Sequence, residues 1–182
     1  MKTITVKELT VPLEAYATVP REATLREAIL ALEKAQMTLG PSRHLHRAIL
    51  VLDESGKVVS KITMKDILIA LEPNYGKVEG TGVLERSGYS PALIKSMLEG
   101  NALWVQPLQF FCERATSLKV SDFIQAPAEG EYIDENATLG EAAHQLIVYS
   151  YHSLLVTSDG GVVGILRLSD VFTKVCEIIK GG

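Results

Sequence analysis

The stretch Gly56 to Leu68, GKVVSKITMKDIL, predicts a strand that turns directly into a helix. A turn glycine precedes an apolar strand over Val58–Ile62, and Thr63 ends that strand. The helix then opens at Met64, which places the carboxylate of Asp66 on its first turn. A carboxylate accepts hydrogen bonds from hydroxyl groups, and the N–H groups of a helix start attract anions. This strand–helix corner is therefore a candidate binding site.

The same pattern recurs at Gly160 to Phe172, GGVVGILRLSDVF, where Asp170 takes the place of Asp66. Upstream, the two copies share the triplet Ala-Thr-Leu at residues 23–25 and 137–139, with an offset of 114. The offset falls to 104 at the two corners, so the first copy carries an insertion of ten residues near Gln36–His44. The chain therefore contains an internal repeat, and both copies should form the same structure.

Each copy has the element order β-α-β-β-α. Thr24 with Glu27, and Thr138 with Glu141, form capping boxes that predict helix starts. Two apolar strands joined by a short turn predict an antiparallel hairpin, and the first strand joins this sheet through the helix. We therefore expect a mixed α/β fold in which each copy forms a three-stranded sheet backed by two helices. Because one such unit is small for a stable domain, the two sheets should pack face to face.

The repeat divides the chain into residues 1–72, a connector at 73–117, and residues 118–182. The connector is rich in glycine at first, and Ser90-Pro91 then predicts the start of a helix. A second helix is predicted from Pro107 to Ala115, close to Trp104. Two roles are open for the connector: it packs on the paired repeats, or it forms an interface with a partner.

Composition and charge argue against several classes of function. The chain has 182 residues, of which 47% are hydrophobic and 22% charged, and its net charge is −4 at pH 7. Scattered Lys and Arg residues provide no basic field for nucleic acid, and no apolar run is long enough to cross a membrane. There is no apolar stretch typical of a signal peptide, and Cys112 and Cys176 form no CxxC motif. These features predict a cytoplasmic protein with free, buried thiols.

No motif predicts catalysis. The chain lacks a Gly-x-Ser-x-Gly, Walker or dinucleotide-binding motif, and the repeat brings no pair of carboxylates together. His44 and His46 have the spacing of a metal-binding pair on a strand, but no nearby Cys or Glu completes such a site. We therefore expect neither an enzyme nor a metal-binding protein.

The two copies, each ending in a strand, a Thr/Ser-x-x-Asp corner and a helix, resemble the tandem CBS domain pair, or Bateman module. The resemblance covers residues 3–71 and 118–179 and leaves the connector unexplained. It implies repeats related by a pseudo-two-fold axis, with clefts between their sheets that bind adenosine nucleotides. AMP, ADP and ATP are the expected ligands, ahead of S-adenosylmethionine and NAD. The resemblance also implies a homodimer of paired modules.

The resemblance implies roles for individual residues as well. Asp66 and Asp170 would accept hydrogen bonds from ribose hydroxyls, and Thr63 would assist at the first corner. The first strand of each copy would contact adenine, and basic residues at the start of the second strand would contact phosphate. The residues implied are Val19, Pro20, His46, Arg47, Thr63, Met64, Lys65, Asp66, Ile133, Tyr151, His152, Arg167, Ser169 and Asp170.

The sequence departs from the family pattern in three places. Arg167 stands where the first copy has Thr63, and it would either reach a phosphate or fill the cleft. Ser60 replaces the glycine that the family usually has before the motif, and it would crowd the backbone. The insertion enters where a cleft wall is expected. We therefore expect one occupied site, at Thr63 and Asp66.

The predicted function is that of a non-catalytic regulatory module that senses an adenosine nucleotide and signals to an unidentified partner protein. A second explanation stays open, because Thr63 with Asp66, or Ser169 with Asp170, would also cap a helix in the absence of any ligand. The chain would then be a structural or interaction module with vestigial clefts, working through the connector.

Overall fold

The computed structural model describes residues 4–38, 46–72, 74, 95–96, 99–100 and 104–181. In chain order the elements are β1 (Val11–Pro12), β2 (Thr18–Pro20), α1 (Leu25–Thr38), β3 (Ala48–Leu52), β4 (Val58–Thr63), α2 (Met64–Leu71), α3 (Leu108–Ser117), β5 (Tyr132–Asp134), α4 (Leu139–Val148), β6 (Ser153–Ser158), β7 (Gly161–Arg167) and α5 (Leu168–Gly181). Most of the insertion, and most of the helix predicted after Ser90-Pro91, lie outside the described residues.

Each repeat forms the predicted sheet. β2 pairs in parallel with β3, and β3 pairs antiparallel with β4. β5, β6 and β7 repeat this arrangement. The registers also correspond, since Thr18 lies opposite Leu50 and Tyr132 lies opposite Leu155. The mixed α/β fold built from two β-α-β-β-α repeats is therefore confirmed.

Capping boxes start the first helix of each repeat, as predicted. The backbone N–H groups of Thr24 and Thr138 each donate to a glutamate, Glu27 or Glu141, at 2.7 Å. Hydrogen bonds from the threonine backbone, and then from its hydroxyl, hold the pKa of both glutamates below the usual value. α1 has 14 residues and α4 has 10, so the beginning of the insertion continues α1 by another turn.

The segment that precedes each repeat packs on the other repeat. Val6 is fully buried in the core of the second repeat, and its N–H donates to the carbonyl of Ala137 at 2.9 Å. Val120 is fully buried in the core of the first repeat, and its N–H donates to the carbonyl of Ala23 at 2.8 Å. The two repeats are thus joined by a reciprocal exchange of segments.

The second sheet has a fourth strand that the sequence did not predict. β1, from the N-terminal segment, pairs antiparallel with β7 and places Val11 opposite Ile165. This close approach needs Gly164, because a Cβ atom at that position would collide with the carbonyl oxygen of Val11. β1 was missed because its pairing depends on a strand more than a hundred residues away, which no local pattern reports.

Ser60 occupies the position in β4 that Gly164 has in β7. Its hydroxyl donates to the carbonyl oxygen of Gln125 at 2.7 Å, so the larger side chain is accommodated by a hydrogen bond. The expectation that Ser60 crowds the backbone is therefore wrong.

An apolar cluster joins the two sheets face to face. Its buried residues are Tyr16, Ala48 and Leu50 from the first repeat, with Leu155 and Ile165 from the second. Each sheet is covered on its other face by helices and has a core of its own. Sheet-to-sheet packing was predicted from the small size of one repeat, and the structure confirms it.

The end of the connector packs on the first repeat. α3 buries Phe111 and Ala115, and Ala115 joins the core of that repeat. Arg114 Nε donates to the carbonyl of Ala70 at 2.8 Å, and the fully buried carboxylate of Glu72 accepts the N–H of Trp104 at 2.7 Å. Packing on the repeats, one of the two roles left open, therefore holds for this part of the connector.

Two expectations from composition concern the thiols and the membrane. Cys112 and Cys176 are both free, as expected, but Cys112 is exposed and Cys176 is only half-buried. The predicted burial is wrong for Cys112 because α3 turns the Phe111–Ala115 face inward and Cys112 away from it. No helix within the described ranges is long and apolar enough to cross a bilayer.

Replacing Gly164 with alanine should lower the free energy of unfolding by about 1–3 kcal/mol, because the added Cβ would force β1 away from β7. Equilibrium urea denaturation measures this change. Gly140→Ala is a matched control, since Gly140 is exposed on α4 and the added Cβ atom would lie 3.8 Å from its nearest neighbour, Thr138 Oγ1. Equal stability of Gly164→Ala and the wild type would contradict the close packing of β1.

Candidate functional site

Thr63 and Asp66 close the first corner through a reciprocal capping box. The backbone N–H and the hydroxyl of Thr63 both donate to Asp66 Oδ2, each at 2.7 Å. The N–H of Asp66 donates back to Thr63 Oγ1 at 3.2 Å. Among the described residues, none donates a hydrogen bond to Asp66 Oδ1. The predicted capping box is present, and it leaves one oxygen of a half-buried carboxylate available to a ligand.

Strand alternation turns this corner toward the second repeat. Thr63 lies opposite Ala48 on β3, and Lys61 lies opposite Leu50. Ala48 and Leu50 both belong to the cluster that joins the two sheets. Because side chains two residues apart on a strand share one face, Thr63 and Lys61 also face the second repeat. We call the space between this corner and the second repeat the first cleft.

Lys61 is a buried cation in the first cleft that was not predicted. Its side chain is 4% exposed, and its Nζ lies 2.9 Å from Glu131 Oε2. The same Nζ donates to the carbonyl of Ser153 at 2.9 Å and lies 5.8 Å from the ring centroid of Tyr151. All three partners belong to the second repeat. The spacing of two residues from Thr63 was the signal that could have found Lys61.

At the second corner the aspartate is already paired. Arg167 Nε donates to Asp170 Oδ2 at 2.5 Å, and Nη2 donates to Oδ1 at 2.7 Å. The two side chains are only 12% and 16% exposed. Both carboxylate oxygens of Asp170 are therefore engaged by one guanidinium group. Of the two roles left open for Arg167, this geometry favours filling the cleft.

The second corner faces Tyr16 and His46 of the first repeat, and we call the space between them the second cleft. The two rings lie 4.1 Å apart, centroid to centroid. The charges of Arg167 and Asp170 are close enough to influence the pKa of both rings. Burial, the larger cause, raises the pKa of Tyr16 to about 12. Each cleft thus combines the corner of one repeat with the strand starts of the other.

His46 is poorly suited to the predicted role of a phosphate-binding cation. It is fully buried, and neither ring nitrogen has a hydrogen-bond partner among the described residues. Burial, and then the nearby charge of Arg167, lower the pKa of the ring, so it is neutral at neutral pH. A neutral imidazole supplies no positive charge to a phosphate. The neighbouring Arg47 is exposed.

The remaining predicted residues lie in varied surroundings. The side chains of Val19 and Ile133 belong to the cores of their own repeats rather than to the clefts. Pro20, Met64, Lys65 and His152 are exposed, whereas Tyr151 and Ser169 are half-buried. The roles of these residues in binding stay predictions.

No three His, Cys, Asp or Glu side chains in the described part of the chain are grouped to hold a metal ion, and His44 lies outside that part.

The burial of His46 should make the protein less stable as the pH falls below 6.5, the usual pKa of the ring. The folded pKa is lower than the unfolded one, so the unfolded chain binds more protons between the two values. The contribution of the buried, neutral His46 ring to the free energy of unfolding is therefore fully present above the unfolded pKa. It is lost as the pH falls toward the folded pKa. His46→Phe should flatten this part of the stability profile, measured by urea denaturation between about pH 5 and pH 7.5. His144→Phe, at an exposed position, is the control, and equal pH dependence in both variants would refute the expectation.

Two stretches of the chain match one protein family. The family model described as "CBS domain" matches residues 6–73 and 120–177, once for each repeat. No curated protein matches the chain at a significant level.

Solved structures share the fold at low sequence identity. The CBS-pair protein CBSX2 from Arabidopsis thaliana is 17% identical, with a TM-score of 0.63 over 98% of this chain and 99% of that chain. CBSX2 in complex with AMP is also 17% identical, with a TM-score of 0.58 over 96% of this chain and 98% of that chain. The CBS domain of a CBS domain-containing membrane protein from Sphaerobacter thermophilus is 22% identical, with a TM-score of 0.59 over 94% of this chain and 87% of that chain.

These matches agree with the architecture described above. Each family match begins before the first strand of a repeat and extends into or through the helix that follows its strand–helix corner. The paired repeats pack sheet to sheet, as the sequence resemblance implied. The chain is a tandem pair of CBS domains and belongs to the CBS domain family.

Proposed function

We propose that the chain is a non-catalytic regulatory module that binds an adenosine nucleotide in the first cleft and signals its presence to another protein. The observation that carries this proposal is the difference between the two corners. Asp66 has an oxygen available to a ligand, whereas both oxygens of Asp170 are paired with Arg167. A CBS pair of the same fold, CBSX2, has been solved in complex with AMP.

The first cleft has groups that suit the parts of such a nucleotide. An ionised carboxylate only accepts hydrogen bonds, so Asp66 can bind the neighbouring hydroxyls of a ribose. The positive end of the α2 dipole, at the same corner, favours a negatively charged phosphate. The ring of Tyr151, which stacks on Tyr149, lies close to Lys61 in this cleft. AMP, ADP and ATP fit this description, and S-adenosylmethionine and NAD share the adenosine part.

Helix α2 provides a route from the first cleft to the connector. It begins at the Asp66 corner, and its last turn holds the connector through the bond from Arg114 to Ala70. Glu72, directly after the helix, accepts the N–H of Trp104. A ligand that favours one position of α2 would therefore favour one position of the connector, by no more than its difference in affinity for the two arrangements.

We propose a second copy of the chain as the partner that covers α5. Leu168, Phe172, Val175 and Ile179 recur at helical spacing along α5 and are between 36% and 73% exposed. The equivalent helix α2 exposes 47% of Met64 and 52% of Leu68. Apolar stripes on both corner helices suit a symmetric interface that pairs CBS modules.

The free state of both cysteines suits the cytoplasm as the site of action.

A second candidate function, as an interaction module with vestigial clefts, is favoured by apolar side chains at the end of the connector. Trp104 is 41% exposed, Val105 66% and Leu108 82%. In that case a partner protein would bind these residues, and nucleotides would have no effect on the module.

Nucleotide binding should depend on Asp66 and not on Asp170. At a hundredfold excess over the dissociation constant, a bound nucleotide stabilises the fold by about 2.7 kcal/mol, which a thermal-shift assay detects. AMP, ADP, ATP, S-adenosylmethionine and NADH should each be tested by this assay and by calorimetry. Asp66→Asn should abolish the shift, whereas the matched variant Asp170→Asn should retain it. If no adenosine compound raises the melting temperature of the wild type, the interaction module is the better explanation.

Phe172→Glu should convert a dimer to a monomer in analytical ultracentrifugation, because it places a charge in the apolar stripe of α5. Thr173→Glu introduces the same charge at the next exposed residue of the helix and should leave the dimer intact. A wild type that sediments as a monomer at micromolar concentration would contradict the proposed pairing.

A further inference from the structure

Lys61 places a charge beside the apolar cluster that joins the two sheets. The equivalent position in β7 is Ile165, since Lys61 lies opposite Leu50 and Ile165 lies opposite Leu155. Ile165 is fully buried between the sheets. Exchanging a packed apolar side chain for a buried ion pair seldom increases stability. A structural role alone therefore explains Lys61 poorly.

The hydrogen-bonding capacity of Lys61 is not exhausted by its partners. An ammonium group has three N–H donors. Within the described residues, two oxygen atoms lie 2.9 Å from Nζ, those of the Glu131 carboxylate and the Ser153 carbonyl. The ring of Tyr151 is close by but accepts no conventional hydrogen bond. One donor is thus available to a further acceptor in the first cleft.

Glu131 is held firmly in front of Lys61. Its second carboxylate oxygen accepts the N–H of Ala128 at 3.2 Å. The carbonyl groups on either side of it, of Gly130 and Tyr132, accept hydrogen bonds from the Gln145 side chain at 2.7 and 2.8 Å. Glu131 therefore remains beside the ammonium group as a fixed negative charge.

We propose that Lys61 selects phosphorylated ligands in the first cleft and that Glu131 is the counterion it holds when the cleft has no ligand. This inference rests on the nucleotide binding proposed above. Lys61 and Thr63 share one face of β4, with Cα atoms about 6.7 Å apart, so Lys61 borders the same cleft as the corner that would hold the ribose. A phosphate takes the remaining donor and competes with Glu131, because charge-assisted hydrogen bonds to phosphate are strong.

The two residues should act on phosphate binding with opposite signs. Lys61 attracts the phosphate, whereas the negative charge of Glu131 repels it and competes for the same cation. Adenosine has the same base and ribose as AMP but no phosphate, so neither residue should affect its binding. If Lys61 and Glu131 were only a structural pair, loss of either partner would weaken all ligands alike.

Calorimetric titration of the full chain with adenosine, AMP and ATP tests this inference. Lys61→Met should raise the dissociation constant of AMP by about tenfold or more, the usual effect of losing a hydrogen bond to a charged group. The dissociation constant of adenosine should not change. Glu131→Gln should lower the dissociation constants of AMP and ATP severalfold and leave that of adenosine unchanged. Lys57→Met and Glu129→Gln remove the same charges at exposed positions close by in the chain, and they should behave as the wild type.

The possible outcomes separate the inference from the proposed function. If Lys61→Met keeps the wild-type preference for AMP over adenosine, or Glu131→Gln weakens AMP, the role of Lys61 is refuted while nucleotide binding stands. If the wild type binds no adenosine compound, the proposed function fails and this inference fails with it. Should Lys61→Met not fold, Glu131→Gln decides alone, because only a competing counterion predicts tighter binding of AMP.

Discussion

The burial of the two sheets against each other is the constraint on which the rest of the structure depends. A single repeat has three short strands and two helices, and the helices cover only one face of its sheet. The facing sheets remove Leu50, Leu155 and Ile165 from water completely. The same packing produces the clefts, because each strand–helix corner lies at the margin of the buried faces. Stability and binding geometry therefore have one origin.

Differences at equivalent positions give the two clefts different chemistry. Thr63 corresponds to Arg167, and Lys61 corresponds to Ile165, so two of the sequence differences between the repeats fall on the facing surfaces. The first cleft has a carboxylate oxygen available and a cation on its own strand. The second has a closed ion pair beside the neutral ring of His46. A nearly symmetric fold thus provides two unequal environments.

Much of the fold was predictable because its signals are local or repeated. The capping boxes, the hairpins and the helix after each corner all depend on residues a few positions apart, and the structure confirms them. Tertiary burial was not predictable in this way. A lysine within a strand is usually solvated, and Lys61 is buried only because the second repeat covers it. His46 was interpreted as a cation because its burial was equally hidden from the sequence, since its neighbours Tyr16 and Arg167 are remote from it along the chain.

The exchange of segments between the repeats has a consequence for cooperativity. Val6 completes the core of the second repeat and Val120 that of the first, so neither half of the chain contains all of its own core. Unfolding one repeat removes a buried residue from the other, which ties both to a single transition. Stabilisation by a ligand at one end is then shared by the entire module. A ligand bound in one cleft can in this way affect the stability of the repeat on the opposite side.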